Sequence, residues 1–159
     1  MHGRCFIACP LRIAGVAPLA PGLKAEGDTM GPSQVHLRRM QDPNCLFCKI
    51  VAGEIPSQKV HEDGEVLAFR DIRPLAPVHV LIVPKKHVAT LYDAAPADEK
   101  VLGRMLALAP AIAKAQGATD GFRTIINTGR VGNQEVQHLH IHVIGGSEPL
   151  GPMLPRKAS

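Results

Sequence analysis

From residue 136 to residue 144 the chain reads Val-Gln-His-Leu-His-Ile-His-Val-Ile, so that His138, His140 and His142 alternate with aliphatic side chains. A period of two marks a β-strand, in which successive side chains point to opposite faces. The segment is therefore expected to lie in a sheet, with its aliphatic face against a core and its imidazoles together on the other face. Same-face residues stand roughly 6.5–7 Å apart along a strand. The three rings then form a line too long to share one metal ion but well spaced to act on one another and on a phosphate. Charging all three would set like charges side by side, so at least one is expected to stay neutral, the form of imidazole that can act as a nucleophile.

A chain of 159 residues is expected to hold one domain with a single substantial core. With one Tyr, four Phe and no Trp, that core must be filled by Leu, Ile, Val and Ala, and no stripe of aromatics is left for stacking bases. The net charge of +4 is uneven: residues 1–40 hold five Lys/Arg against two Asp/Glu, and the remainder thirteen against twelve. Nucleic-acid binding would call for a basic stripe or repeated aromatics, so a phosphate ligand is expected to be a small nucleotide. No run approaches the roughly twenty apolar residues that cross a bilayer, and no membrane partner is expected. Cys5, Cys9, Cys45 and Cys48 are too few for a disulfide scaffold of this size and fit a reducing, cytoplasmic setting.

Residues 1–40 contain four prolines and five glycines and no acidic residue before Glu26. The apolar run from Cys5 to Ala20 is broken by Pro10, Arg12 and Pro18. This leader is expected to be disordered or to precede the true start, with Met30 and Met40 as alternative starts, and residues 41–159 to form the domain. Within the domain, Cys45–Gly53 reads as a short N-terminal helix stopped by Gly53, and residues 66–69 and 78–83 as strands. Residues 93–117 read as one long helix with Leu102, Leu106, Ala109, Ile112 and Ala113 as its apolar stripe, kinked at Pro110. Residues 122–127 read as a further strand ahead of the histidine strand. The hairpin-length connections predict an α+β fold with an antiparallel sheet.

Asn127-Thr128-Gly129-Arg130-Val131-Gly132-Asn133-Gln134-Glu135 joins the last two strands, and loops of this composition can aim backbone N–H groups at an anion. With the histidines it forms Gly132-x-Gln134-x-Val136-x-His138-x-His140-x-His142, which resembles the signature of the histidine triad (HIT) superfamily of nucleotide hydrolases and transferases. Phe69-Arg70-Asp71-Ile72-Arg73-Pro74, followed by Ala76-Pro77-Val78-His79-Val80-Leu81-Ile82-Val83-Pro84-Lys85-Lys86-His87, resembles the first half of the same family. Residues 145–154 are similar to the tail of bacterial members of the histidine triad nucleotide-binding branch.

The resemblance implies the HIT fold: an antiparallel sheet of about five strands, one long helix and a short N-terminal helix, with two protomers forming a continuous sheet as a homodimer. It implies hydrolysis of adenosine or other purine nucleoside 5′-phosphoramidates, with His140 attacking the α-phosphorus and no metal needed for the chemistry. His138, His142 and His79 would complete the catalytic set. Phe47, Phe69, Asp71, Ile72, Asn127, Gln134 and Glu135 would form the nucleotide site. Within it Asp71 would accept the ribose hydroxyls, Ile72 and Phe69 would line the base cleft, and Asn127 and Gln134 would donate to phosphate oxygens. The chain departs from the family at Asn133, commonly glycine, where Asn still tolerates a left-handed backbone. It departs again at Glu135, where some relatives carry serine near the leaving group.

Some relatives hold a structural zinc through a similar Cys-x-x-Cys pair and two histidines, and the matching set here is Cys45, Cys48, His87 and His138. Lys85-Lys86 reads as a solvated strand end. Competing readings are a dinucleoside polyphosphate hydrolase using the same triad, a nucleotide-binding regulatory protein with vestigial turnover, and a catalytic His-x-His metal site. The last lacks an obvious carboxylate third ligand.

Overall fold

The computed structural model describes residues 41–152; the leader and residues 153–159 lie outside them, and with them the expectation for residues 1–40. Helix α1 spans Leu46–Ala52 and ends at Gly53, whose φ of 80° is left-handed and free of the Cβ clash other residues meet. Five strands follow: β1 Lys59–Glu62, β2 Val66–Arg70, β3 Val78–Pro84, β4 Phe122–Ile125 and β5 Ile141–Gly145. They form one antiparallel sheet in the order β1-β2-β3-β5-β4, and helix α2, Glu99–Ala115, lies between β3 and β4 in the chain. The expected α+β class is the class observed.

Both faces of the sheet are covered, which explains why central β3 is buried along its whole length. On one face Val66, Ala68, Val78, Val80, Ile82, Leu139, Ile141 and Val143 pack with Met105, Ala109, Ile112 and Ala113 of α2. On the other, Leu67, Phe69, Leu81 and Val83 pack with Cys45, Phe47, Cys48 and Ile50 of the α1 region. Each such aliphatic side chain contributes about 1.5–3 kcal/mol on full burial. The strand period thus sorts β2 and β3 between two small cores, and α1 closes the second.

The long helix starts later than the sequence suggests. Two 3-10 turns, Leu91–Asp93 and Pro96–Asp98, precede it, the first capped by the Thr90 and Asp93 side chains. Its buried face runs through Met105, Ala109, Ile112 and Ala113, whereas Leu106, expected inside, is 49% exposed. Position 106 lies one residue, about 100° of helix, from the 105–109–112 line. The helix runs on through Pro110 to Ala115. Strand β1 was not located from the sequence: Lys59-Val60-His61-Glu62 is a short polar edge, with a register shift between Lys59 and His61.

The histidine segment is a strand only from Ile141, so of its three imidazoles His142 alone lies in β5. Pairing with β3 ends at Ile82 and Ile141, and two residues further Pro84 has no N–H to give the ladder. The peptide N–H of Leu139 goes to the Val88 carbonyl at 2.6 Å, and that of His138 to the Val136 carbonyl at 2.8 Å. The alternation still sends Leu139, Ile141 and Val143 into the α2-side core.

Candidate active site

His79 on β3 and His142 on β5 meet on the α1 side of the sheet, with Nε2 of His79 2.9 Å from Nδ1 of His142. His140 packs edge-on against His142, ring centres 4.8 Å apart, and against Phe47 of α1 at 5.2 Å. Its Nδ1 lies 2.6 Å from the His138 carbonyl oxygen. A carbonyl can only accept, so Nδ1 carries the proton and Nε2 keeps its lone pair. The ring is 4% exposed and held between a hydrogen bond and an aromatic edge.

Burial is the main reason that all four imidazoles resist protonation: His138 and His142 are each pushed down to about 4, and His79 and His140 are also lowered. All four shifts run toward the neutral form, the direction expected for crowded imidazoles. The hydrogen bond to the His138 carbonyl, and after it the carboxylates of Asp71 and Glu135, raise His140 against this trend.

Asp71 begins the loop after β2. Its Oδ1 accepts the Arg73 peptide N–H at 2.7 Å, and its Oδ2 lies 3.6 Å from Nε2 of His79. The same loop leaves Ile72 89% exposed beside Asp71. It also aims the Leu75 N–H at Nδ1 of His79, at 3.2 Å, a contact with no sequence signal because it belongs to the backbone. Phe47 and Phe69, placed in the nucleotide site by the sequence, pack edge to face at 5.5 Å with 5% and 4% exposure. Phe47 lies against His140, and Phe69 backs Phe47.

The glycine- and amide-rich loop keeps its expected shape. Asn133 takes a φ of 56°, and a Cβ on Gly132 would fall 2.5 Å from the Thr128 carbonyl oxygen. Asn127 is half-buried just past β4, and Glu135 is exposed. The Gln134 side chain is held within the loop. Its amide nitrogen donates to the Ala89 and Val136 carbonyls at 2.7 and 2.9 Å, and its Oε1 accepts the Gly129 N–H at 3.0 Å. Both amide protons are committed, so Gln134 shapes the loop and has no donor left for a phosphate.

The His138 side chain belongs to a different constellation. Its Nε2 lies 2.9 Å from the Pro84 carbonyl, so Nδ1 is the unprotonated nitrogen, 3.4 and 3.5 Å from the sulfurs of Cys45 and Cys48. Nδ1 of His87 lies 3.3 Å from the Cys48 sulfur, and all four ligand atoms fall within 4.8 Å of one another. A tetrahedral zinc with ordinary Zn–S and Zn–N bonds sets sulfur and nitrogen about 3.5 Å apart. The group therefore fits such an ion, with an imidazole lone pair turned inward and two cysteines that form no disulfide. Burial pushes the Cys48 thiol up to about 11. A second group close enough for a metal is Asp71, His79 and His142.

The HIT domain family model matches residues 52–149. Purine nucleoside phosphoramidase of Escherichia coli is 50% identical over 113 residues, covering 70% of this chain and 94% of that protein. The 14 kDa zinc-binding protein of Zea mays is 47% identical over 118 residues, covering 72% of this chain and 91% of that protein. The crystal structure of a HIT family hydrolase from Legionella pneumophila superposes with a TM-score of 0.65 at 49% identity, over 69% of this chain and 98% of that one.

Proposed function

This chain belongs to the HIT domain family and is an enzyme of the histidine triad type, and from that premise we propose that it hydrolyses the P–N bond of purine nucleoside 5′-phosphoramidates. The observation that carries the reading is the His140 ring, whose Nδ1 is bonded to the His138 carbonyl so that the lone pair is left on Nε2, in surroundings that lower its pKa. Nε2 attacks the α-phosphorus, the P–N bond breaks, and the departing nitrogen leaves as an amine after gaining a proton. Water then cleaves the nucleotidyl–His140 bond, releasing the nucleoside monophosphate and restoring the imidazole. Asp71 takes the ribose hydroxyls, Ile72 the base, and Asn127 the phosphate oxygens. The carboxylates of Asp71 and Glu135 near His140 favour a singly charged phosphoramidate over a polyphosphate.

Cys45, Cys48, His87 and His138 would hold one structural zinc, which pins α1 to the sheet and takes no part in the reaction. The catalytic set is then His140, His142 and His79, with His138 contributing its carbonyl. The edge strand β4, with Phe122 37% exposed, suits pairing with a second copy into a continuous sheet. Among the described residues no helix is long and apolar enough to cross a membrane. Free cysteines in this group accord with a cytoplasmic setting.

The test is turnover of an adenosine phosphoramidate beside diadenosine polyphosphates, with and without chelator, in the wild type and in His140→Ala. The variant is expected to lose several orders of magnitude in rate while still binding AMP, since affinity comes from ribose, base and phosphate contacts. Near-normal turnover, or a nucleotide trapped on another residue, refutes the assignment.

A further inference from the structure

We infer that the backbone N–H of Leu75 is a positioning group that fixes the tautomers of His79 and His142, so that His142 presents a proton-bearing Nε2 beside the nucleophile. A peptide nitrogen can only donate. Its 3.2 Å contact with Nδ1 of His79 therefore makes that nitrogen the acceptor and places the His79 proton on Nε2. That proton has one close partner, Nδ1 of His142 at 2.9 Å, which must then accept it and leave the His142 proton on its own Nε2. The opposite assignment would set the Leu75 N–H against an Nδ1–H. It would also turn the bare Nε2 of His79 toward the Asp71 carboxylate, whose Oδ2 lies 3.6 Å away. Two contacts on different sides of the His79 ring thus demand the same tautomer.

The end of this chain is unusual. Nε2 of His142 is buried yet has no hydrogen-bond partner among the described residues. A buried N–H without a partner is rare and unfavourable. This one belongs to the ring packed 4.8 Å, centre to centre, from His140. When the lone pair of His140 meets phosphorus, a non-bridging phosphoryl oxygen is the group placed to accept it. The donor is thus set in advance of the charge it meets. The same tautomers remove Asp71, His79 and His142 as a metal site, because Nε2 of His79 carries a proton instead of a lone pair.

The identity of the accepting oxygen rests on the phosphoramidase reading; the tautomers are a property of the free protein. Long-range proton–nitrogen NMR on 15N-histidine-labelled full-length wild type is expected to report Nε2–H for both His79 and His142. Leu75→Pro, which deletes the N–H, should give His79 a mixed tautomer and lower kcat roughly 2- to 10-fold with KM unchanged, the weight of one hydrogen bond. Leu75→Ala, which keeps the N–H, should retain the tautomers, since the side chain is 79% exposed. An Nδ1–H form of either ring in the wild type overturns the inference, and this spectrum decides even if Leu75→Pro does not fold. A folded Leu75→Pro with wild-type tautomers and kcat overturns it as well. Wild-type tautomers as assigned, in a protein that turns over no phosphoramidate, would uphold the inference and condemn the substrate reading instead.

Discussion

Phe47 touches both His138 and His140, and replacing it gives the sharpest test of how His140 is held. Its ring is 5% exposed and meets Phe69 at 5.5 Å, His138 at 5.9 Å and His140 at 5.2 Å, all close to edge-to-face. Truncating a buried Phe to Ala costs about 3–5 kcal/mol, and because α1 is short enough to settle partly into the gap, about 3–4 is expected here. For a domain of this size each kcal/mol moves Tm by about 3–5 °C, so Phe47→Ala should melt about 10–15 °C below wild type. Phe47→Leu keeps most of the volume and should cost about 1–2 kcal/mol, chiefly the aromatic edges. In the leucine variant His140 loses its aromatic contact with Phe47 while Asp71 and Ile72 are untouched. Its kcat should fall about tenfold with little change in AMP affinity. The assays are thermal unfolding by circular dichroism, AMP titration calorimetry and steady-state turnover. A Phe47→Ala protein melting within about 3 °C of wild type would refute the packing role. Weakened AMP binding at unchanged Tm would make Phe47 a ligand contact instead.

Replacing Cys45 or Cys48 by Ser should lower zinc content, from about one ion per protomer, together with Tm, because ligation of an ordered site contributes folding free energy. Protein prepared without chelator that holds no zinc and has both thiols freely reactive would refute this. Acid should destabilise the fold through the buried imidazoles. His142 has a folded pKa of about 4 against an ordinary 6.5, so the unfolded chain binds the extra proton, and stability present above about pH 6.5 is lost as pH falls toward about 4. That shift corresponds to about 2–3 kcal/mol after discount for partial exposure. Glu62, held down to about 2 by Lys59 and Lys85, titrates below this window. Urea midpoints that stay level between about pH 7 and about pH 4.5 would refute the assignment, and His142→Gln should flatten the slope.

Legibility from sequence followed how far each interaction is written in side-chain pattern. The alternation around His140 and the apolar run of β3 carried the sheet, because burial on a pleat has a period that shows in the residues themselves. Gly132, Asn133 and Gly53 were legible because their backbone conformations or tight contacts admit few residue types. Strand β1 was not, since a polar edge needs no apolar pattern. Met105 and Leu106 are both good helix-core residues, and only the packing of α2 chose between them. The role of Gln134 turned on which loop carbonyls lay within reach, and that of Leu75 on a peptide N–H; neither leaves a mark in residue type.

The break in the histidine strand is what lets one residue serve two constellations. In a regular strand His138 and His140 would share a face with their carbonyls committed to neighbouring strands. With pairing lost before Ile141, the His138 side chain reaches the thiols of Cys45 and Cys48, and its carbonyl remains to hold Nδ1 of His140. Helix α1 therefore reaches His140 by two routes, through Phe47 to the ring and through Cys48 to His138, whose carbonyl meets Nδ1 of His140. The routes separate experimentally. Phe47→Leu leaves the four ligands in place and should slow turnover with zinc retained, whereas Cys48→Ser leaves Phe47 in place and should loosen His138 first. A tenfold loss of kcat in Phe47→Leu that vanishes when zinc is in excess would mean that the ring acts only by steadying the metal group, and that the direct contact with His140 contributes nothing.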